Sequence, residues 1–164
     1  MVQLPTVEGS VEINAPVEHV YAIYMDLDNV PKLVDDVEEV ERLSDERSMW
    51  TFRHPNLPRG TAKVEVTLVA TSPNKRAEWR AVEKPLVCRA VTVFHSLDGN
   101  RTRIDHRTEY TVDLGLGTSR LGVGVTNWAG SALEAHLLDA VKLFEHMTQE
   151  TLRKGKELAE STAG

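Results

Sequence analysis

The chain predicts an α+β fold: a curved antiparallel sheet of seven strands wrapped around one long C-terminal helix, with two short helices between strands 1 and 2. Three observations carry this. Six segments of alternating polarity follow one another from residue 37 to residue 114 with short turns between them, which is the pattern of an antiparallel meander. Helical periodicity fills residues 131–160. A sheet of this width has one face to bury, and the long helix is the element large enough to cover it. A bent sheet closed by a helix leaves a space between the two, and such spaces become ligand cavities.

Each element has its own signal. Residues 7–15 alternate around Val11 and Ile13, as a half-buried strand does. Pro16 suits a first helical turn, where its missing N–H costs nothing. Val17, Val20, Tyr21 and Tyr24 then share one apolar helix face. Asp28 is placed to cap a second short helix over "DNVPKLVDD". Strands follow at 37–44, 47–54, 60–72, 75–83, 86–97 and 101–114. The third of these shows the alternation most clearly, with Ala62, Val64, Val66, Leu68 and Ala70 against Lys63, Glu65 and Thr67. Asp98-Gly99 between the last two is a strong hairpin signal. Ser131 and Glu134 have capping-box spacing and predict the start of the long helix. Leu133, Leu137, Val141, Phe144 and Leu152 form its apolar stripe, and the tail beyond Glu160 is expected to fray.

Composition narrows the function. The 164 residues suggest one domain spanning 1–164, and 41% hydrophobic with 27% charged residues is ordinary for a globular protein. A net charge of −6 argues against nucleic acid or an anionic membrane as partner. Cys88 is the lone cysteine, so an internal disulfide and a cysteine-based zinc site are excluded. The six histidines lack H-x-H and H-x-x-x-H spacing, so neither metal nor other cofactor is expected. The acidic run Asp35, Asp36, Glu38, Glu39 and Glu41 reads as a solvated strand edge. The N-terminus carries no basic-plus-apolar leader, and no apolar run is long enough to span a membrane, so cytoplasmic residence is expected. Monomer and homodimer both stay open.

The order of these pieces resembles the START-like (SRPBCC) superfamily and its polyketide cyclase/dehydrase branch. The residues that carry the resemblance are "VEINAPVEHVYAIYMDLDNVPKL", "VEEVERL", "NKRAEWRAVE", "TRIDHRTEY" and "LGVGVTNWAGSALEAHLLDAVKLFEHM", which together cover nearly the whole chain. The resemblance implies the helix-grip fold and a hydrophobic small molecule as ligand. It covers aromatase/cyclases, lipid and quinone carriers and hormone receptors, so function rests on the cavity rather than the fold. The favoured expectation is an aromatase/cyclase-like protein of bacterial secondary metabolism that acts by acid/base chemistry without a cofactor. The alternative is a non-catalytic carrier or self-resistance protein.

Strand alternation nominates the cavity residues. Trp50, Phe52 and His54 share one face, as do Val64, Val66 and Leu68, and Trp79 on the next strand. Ile104 sets the phase of the last strand and brings in His106, Thr108 and Tyr110. The strand before it allows two phases: Arg89, Val91, Val93 and His95 inward, or Cys88, Ala90 and Phe94 inward. The resemblance favours the first. Arg89 and His106 are then the candidate catalytic pair, one for a developing enolate and one for proton transfer. An inward histidine is more often a satisfied core or rim residue. His136, beside Leu133 and Ala140 on the long helix, is placed to reach the pocket.

The glycine-rich segment 115–130 is not a phosphate loop, since Arg120 stands where a third glycine is needed and no lysine-plus-Ser/Thr pair follows. Its second part predicts a short helix carrying Leu121, Val125 and Trp128, broken at Gly130, as a gate over the cavity mouth.

Overall fold

Pro5 interrupts the first strand of the sheet, because it cannot donate to a ladder. In the computed structural model, which describes residues 2–53, 55, 60–83, 86–112 and 123–163, β1 (Val2–Gln3) and β2 (Val7–Ile13) both run antiparallel to β8 (Arg101–Val112) on the same side. The remaining strands are β3 (Val37–Arg42), β4 (Arg47–Arg53), β5 (Thr61–Ser72), β6 (Arg76–Glu83) and β7 (Leu86–Asp98). They pair in chain order, so the sheet reads β1/β2-β8-β7-β6-β5-β4-β3 and is antiparallel throughout. This is the seven-stranded antiparallel sheet expected: a six-strand meander from β3 to β8, with the first strand in two pieces along β8.

Three register shifts bend the sheet. They lie between Val37 and Glu39, between Leu68 and Ala70, and between Ser96 and Asp98. Each adds a residue to one strand and increases local twist. The bulged Val69 points into solvent as a consequence. The edge strand β3 presents Glu38, Glu39 and Glu41 to water, and such charges discourage pairing with another sheet.

The helices differ from expectation in detail. Helix α1 (Val17–Met25) buries Val17 and Val20, with Pro16 one residue earlier, at the N-cap. The following 3-10 turn (Leu27–Asn29) is capped by Asp26, not Asp28: the Asp28 N–H donates to the Asp26 carboxylate at 3.0 Å. Helix α2 (Val30–Leu33) is a single turn that buries Val30 and Leu33. Helix α3 runs unbroken from Val123 to Thr162. Neither Gly130 nor Ser131 interrupts it; a glycine inside a helix costs only about 1 kcal/mol, which tertiary packing overrides. Its last turn is held rather than frayed, since His19 Nε2–H donates to the Ala159 carbonyl at 3.1 Å. The part of the expected gate at 115–122 lies outside the described residues.

Close approach of α3 to the sheet depends on Gly9 in β2. A Cβ there would sit 2.7 Å from Leu152 Cδ1 and 3.3 Å from Thr148 Cγ2. Ile13, Val20, Ala77, Phe94, Ile104, Leu152 and Ala159 form the main core at this end. Leu4, Val7 and Tyr110 form a second cluster, joined by Cys88 and Phe144.

Candidate functional site

Between α3 and the concave face of the sheet lies a cavity of about 240 Å³. Its existence follows from side-chain size. The middle of β6 and β7 carries Ala81, Cys88 and Ala90 on the inner face, flanked by the larger Trp50, Phe52 and Trp79. Small residues under the helix leave volume that nothing else fills. Tyr24, Val30 and Leu33 close one side, and Phe144, Met147, Thr148, Thr151 and Leu152 of α3 form the roof. Tyr110 stacks on Phe144, with ring centres 4.3 Å apart and planes 13° from parallel.

The wall is mostly apolar; its polar groups are the Thr148 and Thr151 hydroxyls of the roof, the phenols of Tyr24 and Tyr110, the Cys88 thiol and one row on the sheet. His106 lies between two buried threonines on adjacent strands. Its Nδ1 is 2.9 Å from Thr92 Oγ1, and its Nε2 is 2.9 Å from Thr108 Oγ1. Thr92 sits directly opposite His106 across the β7–β8 ladder, and Thr108 is two residues along the same strand, so both share its face. Burial pushes the imidazolium down from an ordinary value near 6.5 to about 4, which keeps the ring neutral at pH 7. Burial likewise pushes the Cys88 thiol up to about 12 and raises the phenols of Tyr24 and Tyr110. Cys88 is therefore an inert thiol. Among the described residues, no Asp, Glu, Lys or Arg lines this cavity.

The depressed imidazole has a consequence for stability. In the unfolded chain His106 takes up a proton as the pH falls through about 6.5; in the fold it stays neutral to about 4. Between these values the unfolded state binds more protons, so stability drops as pH drops. Its contribution is complete above pH 6.5 and gone by about pH 4, a change of up to about 3 kcal/mol. Urea midpoints measured from pH 7 to pH 4 are expected to fall more steeply for the wild type than for His106→Phe.

The inward strand phases at Trp50, Phe52, Val66, Trp79, His106, Thr108 and Tyr110 agree with the sequence reading, and all seven line the cavity. The phase of β7 is the reverse of the favoured one. Arg89 and Val91 stand on the convex face, and Cys88, Ala90, Thr92 and Phe94 face inward. The cause is the bulge between Ser96 and Asp98. A regular hairpin closed at the Asp98–Arg101 pair would set His95 opposite Ile104. The extra residue sets Phe94 there instead, and a shift of one residue exchanges the faces of the whole strand. Exposed Arg89 is 2.5 Å from Glu78 and 3.6 Å from Glu109. The Arg89 guanidinium, followed by Arg76, holds the Glu78 carboxyl below the usual carboxylate range. Arg89 is thus part of a surface ion-pair ladder and not a cavity group. Arg89→Ala is expected to leave ligand affinity unchanged in a direct titration.

Sequence reasoning missed Thr92, and with it the second anchor of His106. The pairing of Ile104 with Phe94 rather than His95 is set by the Ser96/Asp98 bulge, which composition does not mark. His54 lies outside the described residues, as do the side chains of Trp128 and His136. Among the described residues no cluster of His, Cys, Asp and Glu could hold a metal ion, and no helix is long and apolar enough to cross a membrane.

Comparison with known proteins agrees with this geometry. The family model for polyketide cyclase / dehydrase and lipid transport matches residues 5–145. An uncharacterized 17.2 kDa protein of Streptomyces lincolnensis is 22% identical over 107 residues, 65% of this chain and 69% of that protein. A crystal structure from Deinococcus radiodurans shares 32% identity with a TM-score of 0.56, covering 65% of this chain and 83% of the other. The Zhui aromatase/cyclase from Streptomyces sp. R1128 superposes with a TM-score of 0.66 at 17% identity, over 95% of this chain and 93% of that one, a likeness of fold.

Proposed function

Since the chain belongs to the polyketide cyclase/dehydrase and lipid transport family, we propose that it binds an uncharged, largely hydrophobic small molecule between α3 and the sheet. The observation that carries this is the cavity wall: largely apolar side chains with a few neutral polar groups, among them the Thr92–His106–Thr108 row. Apolar walls supply affinity through surface removed from water, and a few placed polar groups set orientation. A ligand with one hydroxyl or carbonyl on a hydrophobic frame matches both features. Native mass spectrometry of the purified protein tests this. A bound hydrophobic organic molecule, released on denaturation, is the expected result. A protein that comes up empty and takes up no such molecule from a mixed set would refute it.

A second reading is catalysis of ring closure or dehydration in the same cavity. His106 favours it, because a neutral imidazole in a shaped, dry space can accept a proton from a folded substrate. With Arg89 outside, the oxyanion partner would be one of the neutral hydroxyls that line the cavity. Incubation with a poly-β-ketone thioester separates the two readings. Cyclised product that disappears in His106→Ala marks an enzyme; unchanged substrate with retained binding marks a carrier.

A further inference from the structure

We infer that the cavity is two-sided and takes a hydrophobic frame whose oxygens lie along one long edge, with that edge against β7, β8 and α3 and the bare edge against β4 to β6. This rests on the ligand-binding reading above and specifies how the ligand's oxygens are distributed.

The order of the strands sorts the wall by polarity. Trp50 and Phe52 on β4, Val64 and Val66 on β5, and Trp79 and Ala81 on β6 make one side of the cavity. The polar atoms these side chains carry are the two indole N–H groups, and that of Trp50 is spent on Ser48 Oγ at 2.9 Å. The neutral polar groups collect on the other side. Thr92 on β7 and His106, Thr108 and Tyr110 on β8 form the floor there, with Thr148 and Thr151 of α3 above. Residues 106, 108 and 110 alternate with outward ones, so they stand about 7 Å apart in a line along β8. The roof is aligned with this line. Gly9 is opposite His106 on the neighbouring strand, and Thr148 Cγ2 is 3.3 Å from where a Cβ on Gly9 would sit. Thr151, three residues further on, shares that face of the helix. Tyr24 belongs to α1, yet its hydroxyl also ends at α3, where it donates to the Leu152 carbonyl at 3.3 Å.

Each threonine hydroxyl has one hydrogen and two lone pairs, so Thr92 and Thr108 keep capacity beyond their contacts with His106. A ligand hydroxyl on this side exchanges water for such partners. The same hydroxyl turned toward β4 to β6 loses water and meets hydrocarbon. Two ligands of equal composition are therefore separated by which edge bears their oxygens.

Calorimetric titration with 2,7- and 2,6-dihydroxynaphthalene tests the inference, with 1-naphthol as the probe of binding itself. The two diols share one frame and one number of hydroxyls. The 2,7 pair lies on a single long edge; the 2,6 pair is split between opposite edges. The 2,7 isomer is expected to bind ~10-fold more tightly. Val64→Thr places a hydroxyl on the bare side at nearly constant shape. It is expected to tighten the 2,6 isomer and shrink the ratio by ~3-fold or more, while retained 1-naphthol binding marks a folded protein with an open cavity. Equal affinities for the two diols in the unaltered protein, or tighter binding of the 2,6 isomer, would overturn the two-sided inference while 1-naphthol binding left the ligand-binding reading standing. A 2,7 preference just as large in a folded Val64→Thr would overturn it too. Failure of 1-naphthol and both diols to bind would overturn the ligand-binding reading itself, and this inference with it.

Discussion

Replacing Ala90 by phenylalanine is expected to abolish uptake of hydrophobic ligands while the protein stays folded. Ala90 lies on the inner face of β7, between Trp79 on β6 and Thr108 on β8, and borders the cavity. A phenyl ring there projects into volume the fold leaves open. Overfilling a close-packed core costs about 1–3 kcal/mol, but here the space exists before the substitution, so the cost is at the low end of that range or below. The ligand's own volume is what disappears. Affinity should fall by ~100-fold or more, equivalent to about 3 kcal/mol or more. The neighbouring Val91→Phe is the matched control. It adds the same ring to the same strand on the convex face and is expected to leave affinity as it was. The pair of variants, followed by calorimetric titration and thermal melting, also tests the strand phase. Loss of binding in Val91→Phe with retention in Ala90→Phe would reverse the assignment of faces.

Gly155→Ala is the second large effect, and its sign opposes helix propensity. In an exposed helix interior the change would stabilise by about 1 kcal/mol. Gly155 instead faces Tyr24, and a Cβ there would overlap the Tyr24 ring and hydroxyl. Tyr24 cannot yield freely. Its ring meets Phe94 edge-on at 6.2 Å, and its hydroxyl donates to the Leu152 carbonyl at 3.3 Å. Moving Tyr24 would push it into the cavity it borders. A net loss of about 1–3 kcal/mol is expected in urea unfolding. In a Tyr24→Leu background the same substitution should become neutral or stabilising, the signature of direct coupling between contacting residues.

The fold was legible because it rests on period and order. Alternation in residues 60–72 and the pattern from Val17 to Tyr24 each point to one element type, and short turns leave an antiparallel meander as the simplest assembly. What failed depended on single residues. The Ser96/Asp98 bulge is one extra residue with no composition signal of its own, yet it turned Arg89 outward and Thr92 inward. The capping-box spacing at Ser131 and Glu134 was real, but spacing alone does not make a helix start when the chain upstream is already helical. Asp26 and Asp28 are equivalent in propensity, and only backbone geometry selects Asp26 as the cap. His106 was found because the phase of β8 follows from Ile104, which is completely buried. Its neutral state was not readable, since that depends on depth below the sheet and on a partner from another strand.

These features join into one argument. Small residues at the centre of β6 and β7 create the space, the bulges curve the sheet around it, and glycines at 9 and 155 let α3 and α1 close over it. Among the described residues, the groups that could carry charge at its wall are held neutral by burial. A site of this kind selects for a hydrophobic frame with few polar atoms rather than for charge.

The most direct measurement of this account is the set of intermolecular NOEs from bound 1-naphthol to assigned side-chain protons. Contacts to Val66, Ala90, Thr92 and Thr108, all on the concave face, are the predicted result. Contacts to Val91 and Val93 on the convex face instead, or saturable binding with none of the four inner residues touched, would contradict it.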